Sequence, residues 1–378
     1  MKIAIIQDEL VRKGGAEQVV LSFAKAFPLA PIYTLSYNED ATYPEFKNSK
    51  VIVSLFGKLV KSDLNLKRFF YPFGVWAMKA MKINGYDVVL LSTTHCAKYA
   101  QVDKNAIVFT YCHTPFRLVF RPESYEEVNK ATGIKSLLYK FVVKSLKRID
   151  IRSARRTDYF ITNAKEVVPR IEDAYQPTRP VEVINPPVKC DKFYVSDEVE
   201  DYYLVVSRFE PYKKVDLVIN AFNQLKDKKL VIVGKGSMKK ELIKIAGSNV
   251  IFKEGLSTME LADMYSKCKA LIFPQHEDYG ITPLEANASG RPVIAYGVGG
   301  VLDTMIPYFD NSLQSTAVFF SEQTTDSLSL AVNEFEKLAF DPKFIRTHAE
   351  RFDESVFIER IRGFISEKYN ERTYAQEK

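Results

Sequence analysis

The chain has 378 residues, 46% of them hydrophobic, with 53 basic and 47 acidic side chains. That excludes a disordered tail, a collagen-like fibre and a small scaffold held by disulfides or metal, and at roughly 100–200 residues per domain it leaves room for two domains. A net charge of +6 is small against so many ionised groups, so a nucleic-acid partner is not expected.

In chain order, residues 2–6 read as a first buried strand, too short and too soon interrupted by Asp8 to be a signal peptide. Further strands follow at 86–92, 106–111, 159–162 and 181–184. Pro186 and Pro187 then stop regular structure, and a second set follows at 202–206, 229–233, 250–252, 270–273 and 292–295. Longer amphipathic stretches separate the strands, which predicts an α/β protein with two doubly wound, Rossmann-like parallel sheets. Such sheets bind ligands outside their strand C-termini, so two in series would face each other across a cleft. The expected division is 1–195, 196–350, and closing helices over 351–378 that pack back on the first domain. In that last stretch Val356, Phe357, Ile361, Phe364 and Ile365 recur at helical spacing. The longest apolar run, 69–78, is about half of the roughly 18 residues needed to span a bilayer. Cys96, Cys112, Cys190 and Cys268 show neither metal-ligand nor disulfide spacing, which suits a reducing cytoplasm.

Four motifs sit where such sheets place their chemistry. Gly14-Gly15-Ala16-Glu17 follows the first strand and opens a helix over 16–26, where adjacent glycines and a helix N-terminus favour an anion. An ordinary strand-to-helix loop would read the same. Directly after the strand 202–206, Arg208 offers a planar fork of donors and Lys213 a mobile charge, a pair suited to a diphosphate. A solvated surface loop is the alternative. After the strand 270–273, Glu277 and Glu285 bracket Tyr279-Gly280-Ile281-Thr282-Pro283. Pro283 suits a first helical turn, so Gly280, Ile281 and Thr282 would present free amides, and two carboxylates can accept sugar hydroxyls. Coincidental surface glutamates are the bland reading. His113, at the end of the strand 106–111, could hydrogen-bond a sugar, although a lone histidine is more often structural. A competing class also needs weighing: Gly234-Lys235-Gly236 follows a strand, with Glu254 where the ribose-binding acid of a dinucleotide fold would fall. Lys239 occupies its third glycine position, which counts against it.

Together these residues resemble the family-4 retaining glycosyltransferases with the GT-B fold, over nearly the whole chain. The Glu-x7-Glu frame of Glu277 and Glu285, with Arg208 and Lys213 upstream, is the specific part. His113-Thr114-Pro115-Phe116-Arg117 and residues 158–163 resemble the branch that includes mannosyltransferases of surface-polysaccharide assembly. The resemblance implies that Arg208 and Lys213 hold the diphosphate of a sugar nucleotide, Glu285 its ribose and Glu277 the transferred sugar. Gly280, Ile281 and Thr282 would supply amides to sugar and phosphate, with Tyr279 beside them. His113 would reach the reacting sugar, Gly14 and Gly15 would leave room for phosphates or acceptor, and Phe252 and Lys253 would lie near the base. GDP-mannose is the first donor implied, with UDP- and dTDP-sugars behind it, and the acceptor is a saccharide or lipid-linked saccharide. No cofactor or metal is expected: fixed cations and helix-end amides can stabilise the departing nucleotide, and the chain lacks any Asp-x-Asp pair. An epimerase, a phosphorylase and a non-catalytic sugar-nucleotide-binding subunit are the alternatives.

The positive charge is concentrated. Residues 135–156 hold Lys135, Lys140, Lys144, Lys147, Arg148, Arg152, Arg155 and Arg156 against the single acid Asp150. On a helix Leu138, Val142, Leu146 and Ile149 share one stripe with the lysines opposite. The bland reading is a packed helix with a solvated face. The sharper one is a surface drawn to anionic lipid, with Phe69, Phe70, Tyr71 and Trp76 of residues 58–82 adding apolar insertion. The expectation is a cytoplasmic enzyme lying peripherally on the inner face of a membrane.

Overall fold

In the computed structural model, which describes every residue except 125–129, 131, 377 and 378, the chain divides into two units. One comprises Met1–Pro186 with Phe357–Lys378, the other Pro187–Val356. The division falls at the paired prolines, ahead of residue 195.

The first unit contains β1 (Ile3–Gln7), β2 (Ile32–Thr34), β3 (Val51–Val53), β4 (Lys82–Ile83), β5 (Val88–Thr93), β6 (Gln101–Val102), β7 (Ile107–Cys112), β8 (Tyr159–Thr162) and β9 (Glu182–Val183). Seven form one sheet in the order β3-β2-β1-β5-β7-β8-β9, its pairs parallel, while β4 pairs with β6 apart from it. Ile3 and Ile5 enter one core and Ala4 and Ile6 the other, as Val88 and Leu90 do against Val89 and Leu91. This is the two-residue period of a strand buried on both faces, and it explains why these segments read as unbroken apolar runs. β2 and β3 have three residues each, too few for a periodic signal, and sequence reading missed them.

Two helices matter most here, α1 (Gly15–Ala26) and α2 (Gly133–Ala154). The stripe expected on α2 is packed only toward its C-terminal half: Leu146 is buried, but Leu138 is 61% exposed. Among the aromatics expected in solvent, Phe70 is buried instead, edge-on to His95 and Phe116.

The second unit holds β10 (Tyr203–Val206), β11 (Leu230–Val233), β12 (Val250–Lys253), β13 (Leu271–Phe273), β14 (Val293–Tyr296) and β15 (Ala317–Phe320), ordered β12-β11-β10-β13-β14-β15 and parallel throughout. β15 is a further strand that sequence reading missed. Helix α3 (Ile281–Ala288) follows β13, and α4 (Glu354–Gln376) closes the chain as one helix. From Phe357 onward α4 belongs to the first unit, where Phe357, Ile361 and Ile365, four apart, enter the same core as α1. Phe357 stacks on Phe23 with ring centroids 5.8 Å apart, and Arg362 Nε donates to Ala26 O at 2.6 Å, satisfying a carbonyl at the end of α1.

Strand order reverses direction once in each sheet, between β1 and β5 and between β10 and β13. Loops leaving neighbouring strands there run opposite ways and open a crevice at the strand C-termini. Among the described residues no helix is long and apolar enough to cross a membrane.

Candidate functional site

The loops at the β10/β13 reversal carry the residues singled out above. After β10, Arg208 is exposed and donates from Nη2 to Tyr212 Oη at 2.5 Å. Lys213 ends the turn Pro211–Lys213, its ammonium 5.3 Å from the Tyr212 ring centroid. After β13, Glu277 forms an ion pair with Lys213 and accepts a hydrogen bond from Gln275 Nε2 at 3.4 Å. Glu277 is held at its backbone as well, since its carbonyl accepts the Gly300 amide at 2.8 Å. A cation and a carboxylate far apart in sequence thus meet at the crevice.

Gly280 turns the chain from this loop into α3 with φ +88°, a left-handed conformation that disfavours other residues, and an added Cβ would stand 2.9 Å from the Phe273 ring. The turn leaves Ile281 and Thr282 as the first helical residues, with amides that have no partner inside the helix and carry partial positive charge. Pro283, third in the helix, lacks an N–H and loses nothing there. Gly280→Ala should cost about 1–3 kcal/mol through backbone strain and contact with Phe273. Denaturant unfolding would measure it, and a loss of only a few tenths would show that the loop relaxes.

One turn on, Glu285 accepts a hydrogen bond from Tyr265 Oη at 2.7 Å through Oε2. Burial raises its carboxyl above the usual range, and the tyrosine bond pulls the other way. Tyr279 is buried, and the Gly300 backbone passes so close that a Cβ there would lie 2.3 Å from the Tyr279 Cα. Phe252 and Lys253 sit on the outermost strand, two strands from β10. Phe252 packs edge-on to Phe209 with centroids 6.0 Å apart, and Lys253 Nζ lies 3.6 Å from Met264 Sδ.

The dinucleotide-like segment has a packing explanation. A Cβ at Gly234 would stand 1.8 Å from Ser207 O, and one at Gly236 2.5 Å from Phe209 O. Glu254, placed where a ribose-binding acid would fall, pairs with Lys239 at 2.7 Å. These glycines let the Arg208 loop run close by, a role the sequence did not signal. Tyr265 and Gly300 also escaped sequence reading, because each acts on a partner distant in the chain; Gln275 escaped it although its partner Glu277 is only two residues away.

In the first unit the β1/β5 reversal is filled by a hydrogen-bond clamp. Asp8 accepts from Thr93 Oγ1 at 2.9 Å and from the amides of Thr94, His95, Cys96 and Ala97 at 2.6, 3.1, 2.8 and 2.7 Å. Burial alone would raise its carboxyl, but the His95 charge and these bonds hold it well below 3.8. His95 bridges Asp8 and Glu9 at 3.1 and 3.2 Å, and their charges keep its imidazolium well above 6.5 against the opposing effect of burial. Asp8, His95 and Cys96 lie close enough to suggest a metal, yet the Asp8 oxygens are already spent on the loop. Gly14 caps α1, with Glu17 Oε2 lying 2.5 Å from where its Cβ would be. Burial pushes the Glu17 carboxyl up to about 7 despite Arg12 at 3.4 Å.

His113, after β7, shares a hydrogen bond of 3.0 Å between Nε2 and Ser92 Oγ and lies 5.0 Å from the Tyr111 ring. Burial depresses its imidazole to about 4, so it is neutral at pH 7. The unfolded chain takes up this proton first, so the histidine withdraws stability as pH falls from 6.5 toward 4. An NMR titration should find His113 unprotonated until pH approaches 4, and a midpoint near 6.5 would contradict its burial.

Comparison with known proteins agrees with the fold. Residues 191–354 match the family described as Glycosyl transferases group 1. The chain is 23% identical to the alpha-1,3/1,6-mannosyltransferase ALG2 of Candida glabrata, over 93% of this chain and 88% of that protein. It is also 23% identical to the O-antigen chain mannosyltransferase RfbU of Salmonella typhimurium, over 75% of each. Among solved structures, Anabaena Alr3699/HepE in complex with UDP superposes with a TM-score of 0.69 at 18% identity, covering 97% of this chain and all of that one.

Proposed function

We infer, on the premise that this chain is a GT-B glycosyltransferase with a group 1 glycosyl transferase domain in its second unit, that it transfers a hexose with retention of configuration to a saccharide or lipid-linked saccharide in surface-glycan biosynthesis. The observation that carries this is the meeting of Lys213 and Glu277 beside the free amides of α3. One sugar-nucleotide donor accounts for all three: a diphosphate for the cation and amides, and sugar hydroxyls for the carboxylate.

In the reaction the bond between sugar C1 and the phosphate oxygen breaks, and its electron pair leaves with the nucleoside diphosphate. Lys213, Arg208 and the amides of Ile281 and Thr282 stabilise that charge as it develops, so the scheme draws its positive charge from the protein and not from a metal. The acceptor hydroxyl attacks C1 on the face the phosphate leaves, and its proton passes to the departing phosphate oxygen. Glu277 holds the transferred sugar, and Glu285, with one oxygen oriented by Tyr265, receives the ribose hydroxyls. Donor binding is assigned to the second unit and acceptor binding to the first.

Mannose from GDP-mannose is the first donor proposed, supported by the names of two relatives, and the UDP held by one structural neighbour makes a UDP-sugar the second. A thermal-shift panel of GDP, UDP and dTDP tests this, because a ligand at 100 times its Kd adds about 2.7 kcal/mol of stability. Stabilisation by GDP followed by label transfer from GDP-mannose supports the reading. Stabilisation by UDP alone replaces the donor, and no response to any nucleoside diphosphate removes the donor site.

A further inference from the structure

Two adjoining segments of the first unit leave large apolar side chains in solvent. On α2, Ile134, Leu137, Leu138 and Phe141 are 61–85% exposed, while Leu146 further along is buried. In the segment spanning 55–82, Leu55, Leu59, Leu64, Phe73 and Trp76 are 58–87% exposed. Buried residues of the two segments share one core, where Leu66, Phe70, Val75 and Met78 pack with Leu146 further along α2. Tyr71 Oη also donates to Ser145 Oγ at 3.2 Å. A single exposed leucine is ordinary, but this many large side chains on two packed segments mark an interaction surface.

Charge decides what covers it. Lys58, Lys61, Lys79 and Lys82 are exposed on one segment, and Lys135, Lys140, Lys144, Lys147 and Arg148 on the other. Asp63 and Asp150 are the only acids in residues 55–82 and 133–154, and Asp150 is buried. A second copy of the chain would set lysine against lysine. A nucleic acid would neutralise the lysines but leave the leucines and Trp76 unmatched. An anionic bilayer offers both phosphates and an apolar layer beneath them.

We propose that this face of the first unit docks on an anionic phospholipid surface, Trp76, Phe73 and Phe141 entering the boundary between headgroups and acyl chains while the lysines contact the phosphates. The docking uses no residue of the donor loops, so it is measured without nucleotide and stands or falls apart from the transferase reading.

The test is flotation of the purified chain with phosphatidylcholine vesicles and with vesicles containing about one third phosphatidylglycerol. Binding should be at least about tenfold greater to the anionic vesicles and should fall as salt rises toward 1 M, where the Debye length shrinks to about 3 Å. Two variants separate the contributions: Lys140→Glu with Lys144→Glu and Lys147→Glu, and Trp76→Ser with Leu137→Ser and Phe141→Ser. All six positions are exposed, so both variants should melt like the parent, and each should lose most of the binding. Equal recovery in the soluble fraction with both vesicle types overturns the proposal, as does flotation unchanged in both variants. A concentration-dependent dimer in light scattering that Phe141→Ser abolishes would assign the face to a second copy and overturn it as well.

Discussion

Lys213→Ala is expected to lower kcat by about a hundred- to a thousandfold, the loss seen when one fixed donor aimed at developing charge is removed. The lysine is placed for that role in two ways. The turn Pro211–Lys213 sets it at the end of β10, and Glu277 orients its ammonium from the neighbouring loop. Charge on the diphosphate is greater as the glycosidic bond breaks than in the bound donor, so the effect should fall mainly on kcat, with KM for the donor changing less. Lys213→Arg should recover only part of the activity, because a planar guanidinium cannot occupy the ammonium's place beside Glu277. Steady-state kinetics on both variants, together with a melting curve, makes the check. A Lys213→Ala enzyme within about threefold of the parent in kcat would remove the residue from the mechanism proposed.

The largest stability effect is expected at Asp150, the one acid among the basic residues of α2. Its carboxylate is fully buried and accepts from Tyr99 Oη at 2.9 Å and Tyr175 Oη at 2.7 Å. Lys98 Nζ lies 2.9 Å away, its side chain 1% exposed, and also donates to His95 O at 2.8 Å. Asp150→Ala leaves the Lys98 ammonium buried without a counter-charge and two phenols without an acceptor, which should cost about 3–5 kcal/mol. At roughly 2–4 °C per kcal/mol for a domain of this size, Tm should fall by on the order of 10 °C. The double variant Lys98→Met/Asp150→Leu should recover much of the loss, because an apolar pair avoids the uncompensated charge. Calorimetry on the three proteins checks this, and a single variant melting within about 2 °C of the parent would show that water reaches Lys98.

Asp150 also shows where sequence reading stops. Amid eight basic neighbours its role is not legible, yet it ties α2 into its unit through Lys98, Tyr99 and Tyr175. Asp150 lies four residues beyond Leu146, at the edge of the packed stripe, but its partners cannot be read along the helix because they lie on other elements: Lys98 and Tyr99 just after β5, and Tyr175 after β8. Leu138 is the opposite case. Helical spacing assigned it to a packed stripe, but periodicity reports only which residues share a face, not whether anything covers it.

By itself the sequence determined the two parallel sheets and the strand ends that carry Arg208, Lys213, Glu277 and the Gly280 turn. Those are local properties: runs of apolar residues, prolines, and motifs whose spacing is read along one segment. Only the tertiary structure decided that Lys213 pairs with Glu277, since that depends on β10 and β13 lying side by side where the strand order reverses. It likewise decided that His113 is held neutral by burial and that Gly234 and Gly236 serve the close passage of the Arg208 loop. Burial, charge pairing and backbone approach are set by residues distant in the chain, and so they appear only once the sheets are assembled.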